Sequence, residues 1–184
     1  MTTSRRAVVM IVATLAAATP LAVGLPLFAQ QSTASPSAAS AAISITGAVP
    51  HPLMLSAADI GAMPRQTVHA GEHGQPESTY EGVLLRDVLA RAGVTFGSAI
   101  RGPALATYVV CSAPDGYRVV FSLAELDSAF SDRPVLLADR KDGQALDART
   151  GPFRIVVPGD ARAARWIRQL KTLRLRDAAS LQGD

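Results

Sequence analysis

Short apolar segments, separated by turns that contain glycine or proline, most restrict the fold of this 184-residue chain. Segments rich in apolar and β-branched residues are predicted as strands at residues 43–49, 65–70, 105–111, 117–121, 134–139, 153–157 and 173–175. Tight turns are predicted at 114–116, 142–143 and 158–159. Because the strands outnumber the helices, the pattern predicts an α+β fold of layered mixed or antiparallel sheets with a few short helices, rather than a doubly wound sheet.

Capping residues predict two of the short helices. Ser56 and Asp59 are spaced to cap a helix, since the serine oxygen satisfies a free backbone amide and the acid lies at the positive helix end. Ser122 and Glu125 form a capping box for a second helix, which is expected to reach about residue 130.

A third helix is predicted from apolar residues that recur every three or four positions over 85–89, and Gly93 ends it. The polar residues 71–78 are predicted as a loop or hairpin tip. Residues 166–170 fit a short helix or a turn, with Trp166 as core filler.

The N-terminal residues 1–29 have the order of a secretory signal peptide: a short basic stretch, an apolar stretch and small residues before a cleavage point. An uncleaved membrane anchor is the alternative, because the apolar stretch approaches the roughly 20 residues that span a bilayer. Pro20 and Gly24 interrupt that stretch, which favours cleavage. Arg5 and Arg6 also fit a twin-arginine export signal. We therefore expect a periplasmic or secreted protein with no membrane span after cleavage.

The remaining chain divides into a linker and one domain. Residues 30–42 are rich in Ser, Ala, Gln and Pro and bury too little apolar surface to fold, so they are predicted to be a disordered linker before a domain at 43–184. Without the signal, 18 − 2 = 16 basic residues face 15 acidic ones, which leaves a net charge of +1. A nucleic-acid-binding domain normally keeps a larger basic excess, so nucleic acid is excluded as a partner.

A single cysteine, Cys111, excludes an internal disulfide. It follows an apolar run, where an unpaired cysteine is commonly a small buried hydrophobe. The alternative is a thiolate that binds a metal or reacts in redox chemistry.

Motifs in a fixed order run from about residue 43 to residue 176. They are Tyr80-Glu81-Gly82-Val83-Leu84-Leu85-Arg86-Asp87-Val88-Leu89, Asp115-Gly116-Tyr117, Phe121-Ser122-Leu123, Leu136-Leu137-Ala138, Gly143, Gly151-Pro152-Phe153-Arg154-Ile155-Val156-Val157-Pro158-Gly159 and Arg165-Trp166. This series resembles the molybdopterin-binding domain of the sulfite oxidase family, in a short stand-alone form. The resemblance implies an α+β fold of layered sheets. It also implies an oxidoreductase that uses molybdenum, held by a pterin dithiolene and one protein cysteine, to transfer an oxygen atom.

The resemblance assigns cofactor-binding roles that this sequence alters in part. The family's metal-binding cysteine falls at residues 67–71, where this chain has no cysteine, so Cys111 is the remaining candidate metal ligand. Thr150 stands where the family has a histidine that helps to hold the cofactor. Arg165 replaces the lysine of a Lys-Trp pair. Arg154 and Arg165 are the expected partners of the pterin or its phosphate, and an arginine inside an apolar strand such as Arg154 needs a partner or an open cavity.

Other charged residues suggest weaker sites. Basic side chains recur every third position and would share a face wherever the segment is helical, as an anion site or as a solvated face: Arg162, Arg165, Arg168, Lys171 and Arg174. His69 and His73, with Glu72 as the adjacent carboxylate, make a poor metal site and are interpreted as loop or edge-strand residues.

Two functions follow from these observations. The first is an exported molybdopterin-dependent oxidoreductase, against which the missing cysteine argues, since alanine and histidine do not replace a thiolate in kind. The second is a cofactor-free periplasmic binding module for a partner protein or a small anion. The expected partners are a small anionic ligand or a periplasmic redox partner, and no sequence motif identifies a catalytic residue.

Overall fold

The computed structural model describes residues 41–72 and 74–181. In this part of the chain, ten strands and three short α-helices confirm the predicted α+β class. The strands are β1 (Ala42–Gly47), β2 (Leu53–Ser56), β3 (Gln66–Ala70), β4 (Ser78–Leu84), β5 (Thr107–Ser112), β6 (Arg118–Ser122), β7 (Leu136–Lys141), β8 (Gln144–Ala145), β9 (Arg154–Val156) and β10 (Thr172–Asp177). The α-helices are α1 (Ala57–Gly61), α2 (Leu85–Ala90) and α3 (Leu123–Leu126), and 3₁₀ turns span Gly97–Ala99, Gly102–Ala106, Ala163–Arg165 and Ala178–Leu181.

The predicted signal at residues 1–29 and all but the end of the predicted linker at 30–42 lie outside the described residues. Ala42, the last residue of that predicted linker, is the first residue of β1. Across 41–72 and 74–181, every helix is too short or too polar to cross a lipid bilayer.

The first sheet has the strand order β2-β1-β10-β5-β6. β1 and β10 are parallel, with Ile45 opposite Leu173, and the other neighbours are antiparallel. Side chains alternate between the two faces of each strand, so the buried positions of this sheet line one side of the core. They are Ile43, Ile45, Leu55, Val109, Cys111, Val119, Phe121, Leu173 and Leu175.

The second sheet has the order β3-β4-β7-β8, and β9 also pairs with β7. Its pairings are antiparallel, and the register of β4 against β7 shifts between Glu81 and Gly82. β9 is short but completely buried, so the first residue of this strand, Arg154, is held in the core of the domain.

Both predicted capping boxes are present. The Ser56 hydroxyl accepts from the Asp59 amide at the start of α1, and the Asp59 carboxylate accepts from the Ser56 amide. Ser122 and Glu125 make the same reciprocal pair at the start of α3. Each pair satisfies amides that a helix leaves free at its first turn.

The structure corrects two predicted boundaries. α3 ends at Leu126 instead of near residue 130, because Asp127 adopts an extended conformation and its carboxylate accepts from the Gly97 and Ala129 amides. β5 begins at Thr107, since the preceding residues form the 3₁₀ turn Gly102–Ala106.

The regularly spaced basic residues were expected to share a face only where their segment is helical. That segment is not an α-helix: a 3₁₀ turn at Ala163–Arg165 is followed by a turn in which Gln169 has a φ of 51°, and then by β10. The basic residues from Arg162 to Arg174 therefore do not form a single helical face.

Candidate functional site

Arg154 places a positive charge inside the second sheet. It pairs with Ala138 across β9 and β7, and only 2% of its surface is exposed. A guanidinium stays protonated in proteins, so burial requires a charged or hydrogen-bonding partner. An arginine in so apolar a strand was expected to need such a partner, and Glu72 supplies it.

Glu72 lies between β3 and β4 and connects Arg154 to the surface. Arg154 Nη2 donates to Glu72 Oε1 at 2.9 Å, and Glu72 Oε2 lies 3.7 Å from Arg168 Nη2. The Glu72 side chain is 32% exposed and the Arg168 side chain 54% exposed. One carboxylate therefore bridges a buried guanidinium and a solvent-accessible one.

Two aromatic side chains enclose the Arg154 guanidinium. Its Cζ lies 5.5 Å from the ring centroid of Tyr80 and 5.7 Å from that of Trp166. The two rings meet edge to face, with centroids 6.0 Å apart. Cations are attracted to the faces of aromatic rings, so this contact offsets part of the desolvation of the charge.

Two N–H donors in this region have no hydrogen-bond partner among the described residues: Arg154 Nε and Trp166 Nε1, both fully buried. A buried donor without an acceptor costs about 1–3 kcal/mol. The arginine cluster, defined here as Glu72, Tyr80, Arg154, Trp166 and Arg168, therefore has unused capacity to donate hydrogen bonds to an acceptor.

Arg165 belongs to a different set of contacts, although it precedes Trp166 in the sequence. Its guanidinium donates to both Asp160 carboxylate oxygens, at 2.8 and 3.2 Å, and to Glu125 at the start of α3. It also stacks 5.0 Å from the ring centroid of Phe121. These hydrogen bonds raise the pKa of Arg165, with Asp160 the larger cause.

A cavity of about 330 Å³ lies beside Arg165 and is also lined by Phe130 and Arg133. Because two carboxylates already accept from Arg165, its charge is neutralised within the chain. The two arginines proposed to bind cofactor therefore lie in different environments. Arg154 Nε has no acceptor among the described residues, whereas all three guanidinium nitrogens of Arg165 donate to carboxylates of the chain.

Cys111 lies in β5 of the first sheet, with Leu173 and Val119 opposite it on the neighbouring strands. The side chain is fully buried, and burial raises the pKa of the thiol. The thiol is therefore protonated at neutral pH, whereas metals bind the thiolate. Cys111 is thus placed as a small buried hydrophobic residue would be.

Histidine and carboxylate side chains do not assemble a metal site in the described ranges, where no group of three or more His, Cys, Asp or Glu residues is close enough to hold an ion. His69 Nδ1 lies 3.3 Å from the Thr79 hydroxyl across the β3–β4 pair. This position agrees with the prediction of an edge-strand residue. His73 lies outside the described residues.

The partners of Arg154 were missed in the sequence. Glu72 was considered only as a neighbour of two histidines, and Tyr80 only as part of a motif. Glu72 and Arg154 are 82 positions apart, so their contact depends on how β3, β4, β7 and β9 align. The available signal was chemical: a buried arginine needs a carboxylate, and the loop after β3 contains one.

Comparison with known proteins gives a family and a fold. The family model described as "Oxidoreductase molybdopterin binding domain" matches residues 31–182. Twenty-nine chains of solved structures match, including one of the sulfane dehydrogenase SoxCD from Paracoccus pantotrophus, with 24% sequence identity and a TM-score of 0.60. That match covers 74% of this chain but only 38% of the SoxCD chain. No curated protein matches this sequence.

Proposed function

This chain belongs to the oxidoreductase molybdopterin binding domain family, and on that premise we propose that it is an exported, cofactor-free module that binds an anionic group at the arginine cluster. The observation that carries the proposal is the buried Arg154 guanidinium, whose Nε has no acceptor among the described residues. A positive charge kept in the core with an unused donor is suited to an anion. Export rests on the signal-like residues 1–29, and the proposed location is the periplasm or the exterior.

A molybdenum centre does not fit the sulfur chemistry of the described residues. Molybdenum in this family is expected to take one protein thiolate, and a thiolate donates an electron pair that the residues at 67–71 do not offer. Cys111 is enclosed by the first sheet, and its raised pKa keeps it protonated. The proposed module therefore performs no metal-based step.

A molybdopterin-dependent oxidoreductase is the second candidate, and family membership together with the retained Arg154 favours it. The resemblance assigns Arg154 and Arg165 to the pterin or its phosphate. This candidate requires Cys111 to reach the metal and requires a periplasmic redox partner to exchange electrons. Because the chain spans 38% of the SoxCD chain, the activity in that protein's name is not transferred to this one.

Metal content separates the two candidates. The full chain, isolated from the exported fraction of a host that makes molybdopterin, is expected to hold less than about a tenth of an equivalent of molybdenum. The matched variant is Cys111→Ala. Stoichiometric molybdenum in the natural chain that is lost in Cys111→Ala would overturn the cofactor-free module and establish the oxidoreductase candidate.

Anion binding has a site-specific reporter, because Trp166 is the single tryptophan and gives one indole N–H resonance. Titration with inorganic sulfate is expected to move this resonance to saturation. Arg154→Met is expected to abolish the effect, and replacement of the exposed Arg101 by Met is the control for loss of one charge. An indole resonance that sulfate does not move, in both the natural chain and a Glu72→Gln variant, would refute binding at this cluster.

A further inference from the structure

The place where an anion would meet Arg154 is already filled by a carboxylate of the chain itself. Glu72 Oε1 accepts from Arg154 Nη2 at 2.9 Å, and Glu72 Oε2 faces Arg168 at 3.7 Å. The side chain of Arg154 is 3% exposed, whereas that of Glu72 is 32% exposed. A molecule that approaches from solvent therefore meets Glu72 before it reaches the guanidinium.

The Glu72 carboxylate does not satisfy the donors around it. Arg154 Nε and Trp166 Nε1 stay without acceptors in the described structure. Positive charge also exceeds negative charge here: Arg154 and Arg168 flank Glu72, and Lys141 lies 5.7 Å from the Tyr80 ring centroid on which Arg154 also packs. One carboxylate lies between two guanidinium groups, so the region keeps an attraction for further negative charge.

We propose that Glu72 is an internal occupant of this anion site and that a tetrahedral oxyanion, such as a sulfate or phosphate group, displaces it to bind Arg154 and Arg168. The inference rests on the proposed function, because it specifies how the same cluster selects its ligand. A carboxylate has two oxygens, and both already face guanidinium groups. A tetrahedral oxyanion has more oxygens than a carboxylate, so it can also accept from Arg154 Nε, the unpaired donor on the guanidinium that Glu72 contacts.

Displacement needs Glu72 to leave without disturbing the core. Glu72 is in the connection between β3 and β4, outside both strands, so its side chain can leave without breaking a strand pairing. The cation–π contacts of Arg154 with Tyr80 and Trp166 involve other elements. The guanidinium therefore keeps its aromatic contacts while one anion replaces another.

An internal competitor weakens the apparent affinity for the ligand. The apparent Kd is the intrinsic Kd divided by the fraction of molecules in which the competitor has left the site. A carboxylate on a short connection acts at an effective concentration in the millimolar range, so a free ligand of equal intrinsic affinity must reach that concentration to displace it. Removal of the Glu72 charge should therefore tighten binding on the order of tenfold or more.

The test compares the Kd of inorganic sulfate for the natural chain, Glu72→Gln and Glu77→Gln, measured from the Trp166 indole resonance. Glu77 is an exposed carboxylate in the same connection and controls for the loss of one negative charge. The expected result is on the order of tenfold tighter binding for Glu72→Gln and a change of less than about twofold for Glu77→Gln.

The outcomes distinguish the inference from the function on which it rests. Equal tightening in both variants, or none in Glu72→Gln while the natural chain binds sulfate, overturns the internal occupant and leaves the anion-binding function intact. If neither the natural chain nor Glu72→Gln binds sulfate, both are overturned.

Two further arms keep the experiment decisive. If Glu72→Gln does not fold, Glu72→Asp keeps the charge but shortens the side chain, and it is expected to bind sulfate more tightly than the natural chain; unchanged affinity counts against displacement. Phenyl phosphate, titrated in parallel, distinguishes a phosphate ester from a free oxyanion as the preferred source. Acetate is expected to bind more weakly than sulfate, and equal binding overturns the tetrahedral preference.

Discussion

A guanidinium inside an apolar strand shows how one residue determines the chemistry of its surroundings. Arg154 obtains a carboxylate from Glu72 on one side and two aromatic rings on the other. Its need for a partner is predictable from the sequence, because a buried charge without compensation costs several kcal/mol. The identity of the partner is not predictable in the same way, since local sequence does not specify which loop lies against β9.

Arg165 illustrates the opposite case at the same scale. The resemblance assigned it to the cofactor, and that role stays a prediction. Its donors are engaged by Glu125, which caps α3, and by Asp160. The capping role of Glu125 was evident from the sequence, but its second role as an acceptor for Arg165 depends on tertiary packing over 40 positions.

The reactivity of Cys111 tests its burial. We expect iodoacetamide to alkylate the native thiol on the order of a hundredfold more slowly than the thiol of the chain unfolded in urea, because burial raises the pKa and blocks access. Mass spectrometry after timed quenching measures both rates. A native rate equal to the unfolded rate would show an accessible thiol and would restore Cys111 as a candidate ligand.

At the scale of elements, β4 and β7 approach so closely that one position excludes a side chain. A Cβ on Gly82 would lie 2.0 Å from the Leu137 carbonyl oxygen and 2.7 Å from Ala138 Cα. Both are backbone atoms, so the strands themselves would have to separate. The register shift next to Gly82 marks the same place.

We therefore expect Gly82→Ala to lower the free energy of unfolding by about 3 kcal/mol or more, as measured by urea denaturation. Gly61→Ala is the matched control, since a Cβ at the end of α1 would meet nothing within 4 Å. That variant should gain about 0.4–1 kcal/mol through the reduced entropy of its unfolded chain. Similar stabilities for the two variants would disprove the close approach.

The helices also show which of their ends can be predicted from local sequence. Capping boxes at Ser56 and Ser122 predicted the starts of α1 and α3 because the whole signal lies within four residues. The end of α3 was predicted too late because Asp127 accepts from Gly97, a residue 30 positions away. The 3₁₀ turn before β5 was missed because no apolar period accompanies it.

At the scale of the whole molecule, stability should depend on acidic carboxyl groups that accept hydrogen bonds. Amides of Ala129 and Gly97 lower the pKa of Asp127 from its ordinary value of 3.8, and Thr150 lowers the pKa of Asp147. The folded state therefore binds fewer protons than the unfolded state at mildly acidic pH. Their stabilising contribution is complete above the ordinary value and is lost as pH falls through the lowered values.

Urea unfolding between about pH 6 and about pH 3 should thus show a falling free energy of unfolding below about pH 4. Asp127→Asn should flatten this dependence, because amides do not titrate. Asp132→Asn, at an exposed position, serves as the control. A slope identical in the natural chain and in Asp127→Asn would contradict the role of these hydrogen bonds.

The two-sheet architecture was predictable as a class but not as a topology. Alternating apolar and polar residues between turns indicate strands, and β10 was predicted because Leu173 and Leu175 alternate with Arg174 and Arg176. That β10 lies between β1 and β5 follows from packing among segments 60 or more residues apart in the chain, about which a local pattern carries no information.

The position of β10 has a consequence for biogenesis. Of the strands within residues 41–72 and 74–181 it is the last to be synthesised, yet it separates the β1–β2 hairpin from the β5–β6 hairpin. A nascent polypeptide that still holds residues 172–177 within the ribosome has two unconnected hairpins in place of the first sheet. The first sheet therefore reaches its final form only after residues 172–177 have left the ribosome.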